Sequence, residues 1–410
     1  MDKLTLICKP EQSGKTAVMI EYINKKRITD NHHCTKTAVN IIFSDNNLLL
    51  TKQTASRVGS GVYKLPGTDQ NYVELSSRKH DTVINHVTDV LHAILFKHVN
   101  NIICCTNRTR VNDIVSLINT MNTDPSTYNK FSFVIWLDEA DKFINTVDRD
   151  FIPLCQQYVN IDCVLITATP DRLFDKYEYI RVLPLETTIN STYHGWNDND
   201  IYILENDTGT RAGFVHQVVD TVDIIKGSKW FIPANITTAS HKVVADVLTE
   251  NGFAVITVNG RGIYLTLPSC SIPRIFAKRK ELQYHISYIY NRYNLDRFPV
   301  AVTGNICIGR GVSIMHPGFQ FDNAILSECT TNAETSQLAG RIKGNIKRWA
   351  NYKIPVVYTT RIFHNIASEW EDKSRKLARY AFDNNPCNEE TVVVSKQVYE
   401  NIGVPENDIK

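Results

Sequence analysis

Short apolar runs rich in branched residues, each followed by a longer stretch with helical spacing, most constrain what this chain can fold into. They occur at 4–8, 39–43, 102–105, 131–137 and 163–167. Alternation of this kind predicts a parallel sheet whose strands are joined by crossover helices. In "HDTVINHVTDVLHAILFKHVNN" the residues Val83, Ile84, Val87, Val90, Leu91 and Leu95 fall on one helical face, which feeds the strand "NIICC". After Pro184 the stretch "ETTINSTYHGWNDND" is polar enough to be a linker or surface loop. A second series follows it: "KWFIPA", "SHKVVADVLTENG", "FAVITVNG", "FPVAVTG", "NAILSE" and "IPVVYTT".

The chain therefore divides into α/β domains over residues 1–190 and 191–360, followed by a helical extension and polar tail over 361–410. A length of 410 residues is more than one ordinary core accommodates, which agrees. A hydrophobic share of 43% with 21% charged residues fits ordered domains. A net charge of +2 neither demands nor excludes a polyanionic partner. The 10 cysteines show no Cys-x-x-Cys pair, which argues against a zinc site or a disulfide framework and for a reducing compartment. No window approaches the apolar length of a membrane span, so no membrane is expected; the expected location is the cytoplasm, or a host cytoplasm or nucleus if the source is viral.

The first strand runs into "KPEQSGKT". A loop of this kind at a strand's carboxyl end, opening a helix, offers backbone N–H groups and the helix dipole to phosphate oxygens. Lys15 supplies an ammonium and Thr16 a hydroxyl for Mg²⁺. Alone, "SGKT" equally fits an ordinary helix start. Its companion is "FVIWLDEAD", a strand that delivers Asp138 and Glu139 at its exit, one suited to holding a metal and the other to orienting or deprotonating water. The bland alternative is an acidic helix start favoured by the dipole. Third, "VLITATP" ends a buried strand in the hydroxyls Thr167 and Thr169, suited to relaying hydrogen bonds from Glu139.

In order, "SGKT", "LDEAD", "TATP", "VTGNICIGRGVSI" and "QLAGRIKG" resemble motifs I, II, III, V and VI of superfamily 2 helicases of the DExD/H-box group, across about residues 4–360. The resemblance implies two tandem RecA-like domains, each a mostly parallel sheet flanked by helices, with ATP and Mg²⁺ as cofactors. It implies Lys15, Asp138, Glu139, Gln337 and Arg341 as catalytic residues, with Arg341 as the arginine finger. Gln12, Ser13, Gly14, Lys15, Thr16 and Gly311 would contact the nucleotide, Thr16 and Asp138 the Mg²⁺, and Thr167 and Thr169 would couple the domains.

DNA or RNA, with DNA marginally favoured, would run across both domains and be touched on its backbone. The residues matching the relevant motifs are Thr51, Arg57, Thr106, Asn107, Arg108, Arg110, Thr237, Thr238, Thr303 and Gly304. Three features depart from the family pattern. Lys9 and Gln12 replace small loop residues; little sequence precedes the first strand where an adenine-reading segment would stand; and Gly344 replaces a second arginine, leaving Lys343 or Arg348 to substitute.

The expected function is an ATP-dependent helicase or translocase. The alternatives are a nucleic-acid-binding scaffold with a degenerate ATPase, or a motor that remodels without unwinding. The Asn- and Ile-heavy composition suits an AT-rich genome such as large viruses and phages carry. Tyr284, Tyr288, Tyr290 and Tyr293 share a helix whose spacing fits core packing better than base stacking.

Overall fold

A computed structural model describes residues 3–33, 36–46, 48–64, 70–76, 83–185, 192–268, 270–276, 281–305, 308, 313–385 and 390–402. Two compact units divide the chain. The first comprises Met1–Lys9, Gly14–Thr187 and Ser374–Lys410, the second Pro10–Ser13 and Thr188–Lys373.

The first unit opens with β1 (Leu4–Cys8) and β2 (Thr37–Ser44), then β3 (Val73–Leu75), β4 (Val83–Ile84), β5 (Asn101–Cys105) and β6 (Phe131–Asp138). It continues with β7 (Ile161–Thr167) and β8 (Tyr179–Val182). Each apolar run read from the sequence is one of these strands. β1 lies between β7 and β8, and β7 between β1 and β6, all parallel. The strands are apolar on both faces because helices cover both. Val39, Ile41 and Phe43 of β2 point into the core shared with Val87–Lys97 and Arg108–Thr123. Ile42 points the other way, into the core built with Met19 and Ile23 of Lys15–His33 and with Ala55 and Val58 of Leu48–Gly61. This period-two division fixes the register, since a one-residue slip would exchange the faces.

The second unit carries β9 (Asp200–Ile203), β10 (Lys229–Phe231), β11 (Ala254–Asn259), β12 (Gly262–Leu267), β13 (Cys270–Phe276), β14 (Val300–Gly304), β15 (Asn323–Leu326) and β16 (Val356–Thr359). Their order is β13-β12-β11-β14-β10-β15-β16-β9. From β11 to β9 the pairs are parallel, while β12 and β13 add an antiparallel edge that the sequence reading passes over. Phe214, Val218, Trp230, Val244, Leu248 and Val255 fill one face of this sheet.

Past residue 361 the chain forms the helix Arg361–Asp383 and then a strand not anticipated from the sequence, β17 (Val392–Ser395), antiparallel to β8. Val394 is buried and Val393 exposed, an alternation too short to stand out in a polar tail. Two expectations are corrected. Val83 and Ile84, read as the start of a helical face, form the short strand β4, and the helix begins only at Val87. The helix Leu282–Arg292 buries Leu282, His285, Ile286 and Ile289, and leaves Tyr284 and Tyr288 about half exposed. The longer aliphatic stripe takes the core, and the tyrosines flank it.

Candidate active site

The carboxyl end of β1 leads to the helix Lys15–His33. Gly14 sits at φ 96°, a conformation that costs a glycine little, and its carbonyl accepts the Val18 N–H at 3.1 Å, starting the helix. Lys15 folds back, with Nζ 3.4 Å from the Lys9 carbonyl. Burial and then Lys15 pull the Lys9 ammonium below its ordinary range, against an opposing pull from Glu21. Two ammonium groups share this loop, an arrangement that an anion relieves.

β6 brings Asp138 to the same edge of the sheet. Its Oδ1 accepts the Glu139 N–H at 3.1 Å. Glu139 is held at φ 57°, uncommon for a residue with a side chain and a mark of backbone strain at the strand exit. The Asp138 carboxyl is crowded by protein, although part of the residue remains accessible. Burial and then repulsion by Glu139 push it up to about 7, against the pull of Lys15, the Glu139 N–H and Arg57. A carboxyl short of positive charge suits a divalent cation. Among the described residues no group of three or more His, Cys, Asp or Glu is placed to hold a metal. An ion bound by Thr16 and Asp138 would complete its shell with phosphate oxygens and water, as Mg²⁺ characteristically does.

Thr167 donates at 2.8 Å to Oδ1 of Asp141, its hydroxyl lies 3.3 Å from that of Thr169, and it accepts the Thr169 N–H at 3.0 Å. Asp141, 2% exposed, is a residue the sequence reading missed. The signal was the last letter of "DEAD". Arg57 is also placed unexpectedly: its Nη1 donates to Thr16 Oγ1 at 3.3 Å.

The other first-unit residues assigned to nucleic acid gather at the ends of β2 and β5. Thr51 is buried, 2.7 Å from the Ser44 hydroxyl and 3.0 Å from Cys105 Sγ. Thr106, also buried, donates to the Ser44 carbonyl at 2.7 Å. Asn107 caps the helix Arg108–Thr123 by accepting the Arg110 N–H at 3.0 Å. Arg110 is buried, with Nη1 2.7 Å from Asp113 and 3.2 Å from the Asn85 carbonyl. Arg108 is half exposed and pairs with Asp150 at 2.8 Å. Thr51, Thr106 and Arg110 are thus committed to shaping the loops, while Arg108 keeps access to solvent.

In the second unit, Thr237 caps Thr238–Glu250 by accepting the Ser240 N–H at 3.2 Å, and both Thr237 and Thr238 are exposed. Thr303 is fully buried and its hydroxyl finds no partner among the described residues. Gly304 has φ 145°, and a Cβ there would collide with the Val258 carbonyl. Gly311 lies outside the described residues. Beside these, buried Arg211 donates to the Ala234 carbonyl at 2.7 Å and the Glu328 carbonyl at 3.1 Å. Asn305 donates to the same Ala234 carbonyl at 2.8 Å.

Gln337 lies in the last turn of the helix Asn332–Ala339, and its carbonyl accepts from Arg341 Nε at 3.1 Å; both residues are buried. Next to them lies a charge cluster. Lys343 Nζ is 3.1 Å from Glu11 and 3.0 Å from Glu371, and its side chain has no exposure. Glu11 accepts from the Ser336 hydroxyl, its carbonyl accepts from Tyr193 at 3.1 Å, and Glu371 accepts the Trp196 N–H at 3.0 Å. Gly340 lies against Glu11, where a Cβ would clash. Gln12, at φ 58°, accepts from Ser313 at 3.4 Å, and the Ser13 hydroxyl donates to the Pro10 carbonyl at 2.6 Å. Burial pulls the Lys343 ammonium down, but Glu11 and then Glu371 outweigh it, and the net displacement is upward.

No family model and no curated protein matches the sequence. Among solved structures the chain is similar to the DExH-box NTPase HrpB of E. coli, with a TM-score of 0.44 and 11% identity over 87% of this chain and 39% of that one. It is similar to a DEAD box protein from the hyperthermophile Methanococcus jannaschii, with a TM-score of 0.42 and 14% identity over 90% and 85%. Mss116p bound to single-stranded RNA and AMP-PNP gives 0.48 and 13% identity over 87% and 66%. The chain spans less than two thirds of the length of HrpB and Mss116p.

Proposed function

We propose that the chain is an ATP- and Mg²⁺-dependent nucleic-acid motor of the superfamily 2 type, moving along or unwinding DNA or RNA. One observation carries this reading. A phosphate-suited loop with Lys15 and Thr16, and a strand exit with Asp138 and Glu139, share one edge of a parallel sheet, with Asp138 left short of positive charge. In such a site Lys15 neutralises the transferring phosphate, Asp138 and Thr16 hold the metal, and Glu139 orients the attacking water. Gln337 and Arg341 enter as second-unit catalytic residues by the motif resemblance alone.

ATP turnover measured alone and with single-stranded or duplex DNA and RNA tests this. Stimulation by a nucleic acid, lost in Lys15→Ala by about 10²-fold or more, is the expected result. Glu139→Gln should bind ATP without hydrolysing it. Parent-level turnover in Lys15→Ala would remove the site assignment.

The scaffold reading keeps one specific support. Lys343, a candidate to replace the missing second arginine, is enclosed by Glu11 and Glu371 and committed to them. Nucleic-acid binding with no turnover under any stimulation would favour it.

A further inference from the structure

The helix Leu48–Gly61 sends one guanidinium to the start of the phosphate-binding helix, where Arg57 Nη1 donates to Thr16 Oγ1 at 3.3 Å. Thr16 is one of the side chains assigned above to Mg²⁺. A permanently charged group therefore already holds the hydroxyl proposed to meet the metal.

The same helix has a second attachment about 9 Å earlier along its axis. There Thr51 is buried against the Ser44 hydroxyl at 2.7 Å and Cys105 Sγ at 3.0 Å. Ser44 ends β2 and Cys105 ends β5, and the Ser44 carbonyl holds Thr106 at 2.7 Å. Thr106 leads into Asn107, Arg108 and Arg110, so the helix connects the proposed metal ligands with the proposed nucleic-acid loop inside a single unit.

Resting on the function proposed above, the geometry points to Arg57 as a positioning residue: a built-in cation that holds the Thr16 hydroxyl until metal and nucleotide arrive together. A bare divalent ion entering beside a guanidinium meets repulsion, which the phosphates of ATP remove. Two consequences follow. The nucleotide-free protein resists binding a metal alone, and loading the site releases Arg57 from Thr16, which alters the hold on Leu48–Gly61.

The test uses the full chain, Mn²⁺ as a spectroscopic probe for metal binding without nucleotide, and amide hydrogen exchange across residues 48–61 with and without Mg²⁺ and AMP-PNP. Arg57→Met should bind Mn²⁺ about tenfold or more tightly than the parent. Arg57→Gln, which keeps a donor for Thr16 but drops the charge, should do the same, and it carries the test if the methionine variant fails to fold. In the parent, metal and nucleotide should change exchange over 48–61; in Arg57→Met, which cannot donate to Thr16, that response should be lost. Unchanged Mn²⁺ affinity and an unchanged exchange response would overturn the role of Arg57. Lys15→Ala, assayed for AMP-PNP binding in parallel, separates the two readings. Parent-level affinity there brings down the nucleotide site itself, whereas lost affinity with unaltered Arg57 variants removes only the present inference.

Discussion

Each unit encloses a pair of carboxylates, and the two pairs are treated in opposite ways. In the second unit Glu11 and Glu371 share one ammonium, Lys343, with both contacts near 3 Å and hydrogen bonds from Ser336 and Trp196 in support. In the first, Asp138 and Glu139 are adjacent at a strand exit, Lys15 and Arg57 act on Asp138, and Asp138 still rises to about 7. The second-unit cluster carries its own cation. The first-unit pair leaves Asp138 raised, and Asp138 stays partly accessible. Neutralisation from within fits a structural cluster; a deficit beside a phosphate-suited loop is what the proposed site requires.

The largest effect that would sharpen this contrast is expected from Lys343→Met. Removing the cation leaves two buried carboxylates facing each other, a loss on the order of 3–5 kcal/mol. It should appear as a lower urea midpoint, equally with and without Mg²⁺ and ATP. A midpoint within about 0.5 kcal/mol of the parent would mean the cluster is not structural.

Asp138→Asn should move stability the other way. The folded carboxyl sits near 7 and an unfolded aspartate near 4, so its ionised form is disfavoured by folding. The resulting cost starts at about pH 4, grows as the pH rises through the folded value, and levels off above about 7. Asparagine removes it, so the ligand-free variant should gain roughly 1–3 kcal/mol at pH 8 and progressively less towards pH 4. It should also lose Mg²⁺-dependent nucleotide binding. A loss of stability at pH 8, or a gain independent of pH, would contradict an undercompensated carboxylate.

Much of this was legible in the sequence. Runs of branched residues marked β1, β2, β5, β6 and β7, because strands covered on both faces must be apolar throughout. Motif order placed Lys15 and Thr16 at the helix start that follows β1, and Asp138 and Glu139 at the exit of β6. Lys343 was not legible, because its partners lie far away along the chain at Glu11 and Glu371, and spacing carries no information about such contacts. Arg57 shows the same limit. Its sequence context suggested nucleic acid, while packing of Leu48–Gly61 against the helix Lys15–His33 turned it to Thr16. The edge strand β13 was missed because Pro273 and Arg274 break its apolar run, and β17 because it is only 4 residues long and partly exposed.

The smallest effect is also the most discriminating, because its sign should reverse. In the parent, Glu11→Gln leaves Lys343 paired with Glu371 and keeps an amide oxygen for Ser336, so a loss of only about 1 kcal/mol is expected. In the Lys343→Met background, the same substitution removes one of two buried carboxylates left without the Lys343 ammonium and should restore about 1–2 kcal/mol. The double-mutant cycle measures this coupling directly, with urea midpoints of the four proteins at one pH. Equal effects of Glu11→Gln in the two backgrounds would show that Glu11 does not depend on Lys343, and the two carboxylate pairs would no longer differ in kind.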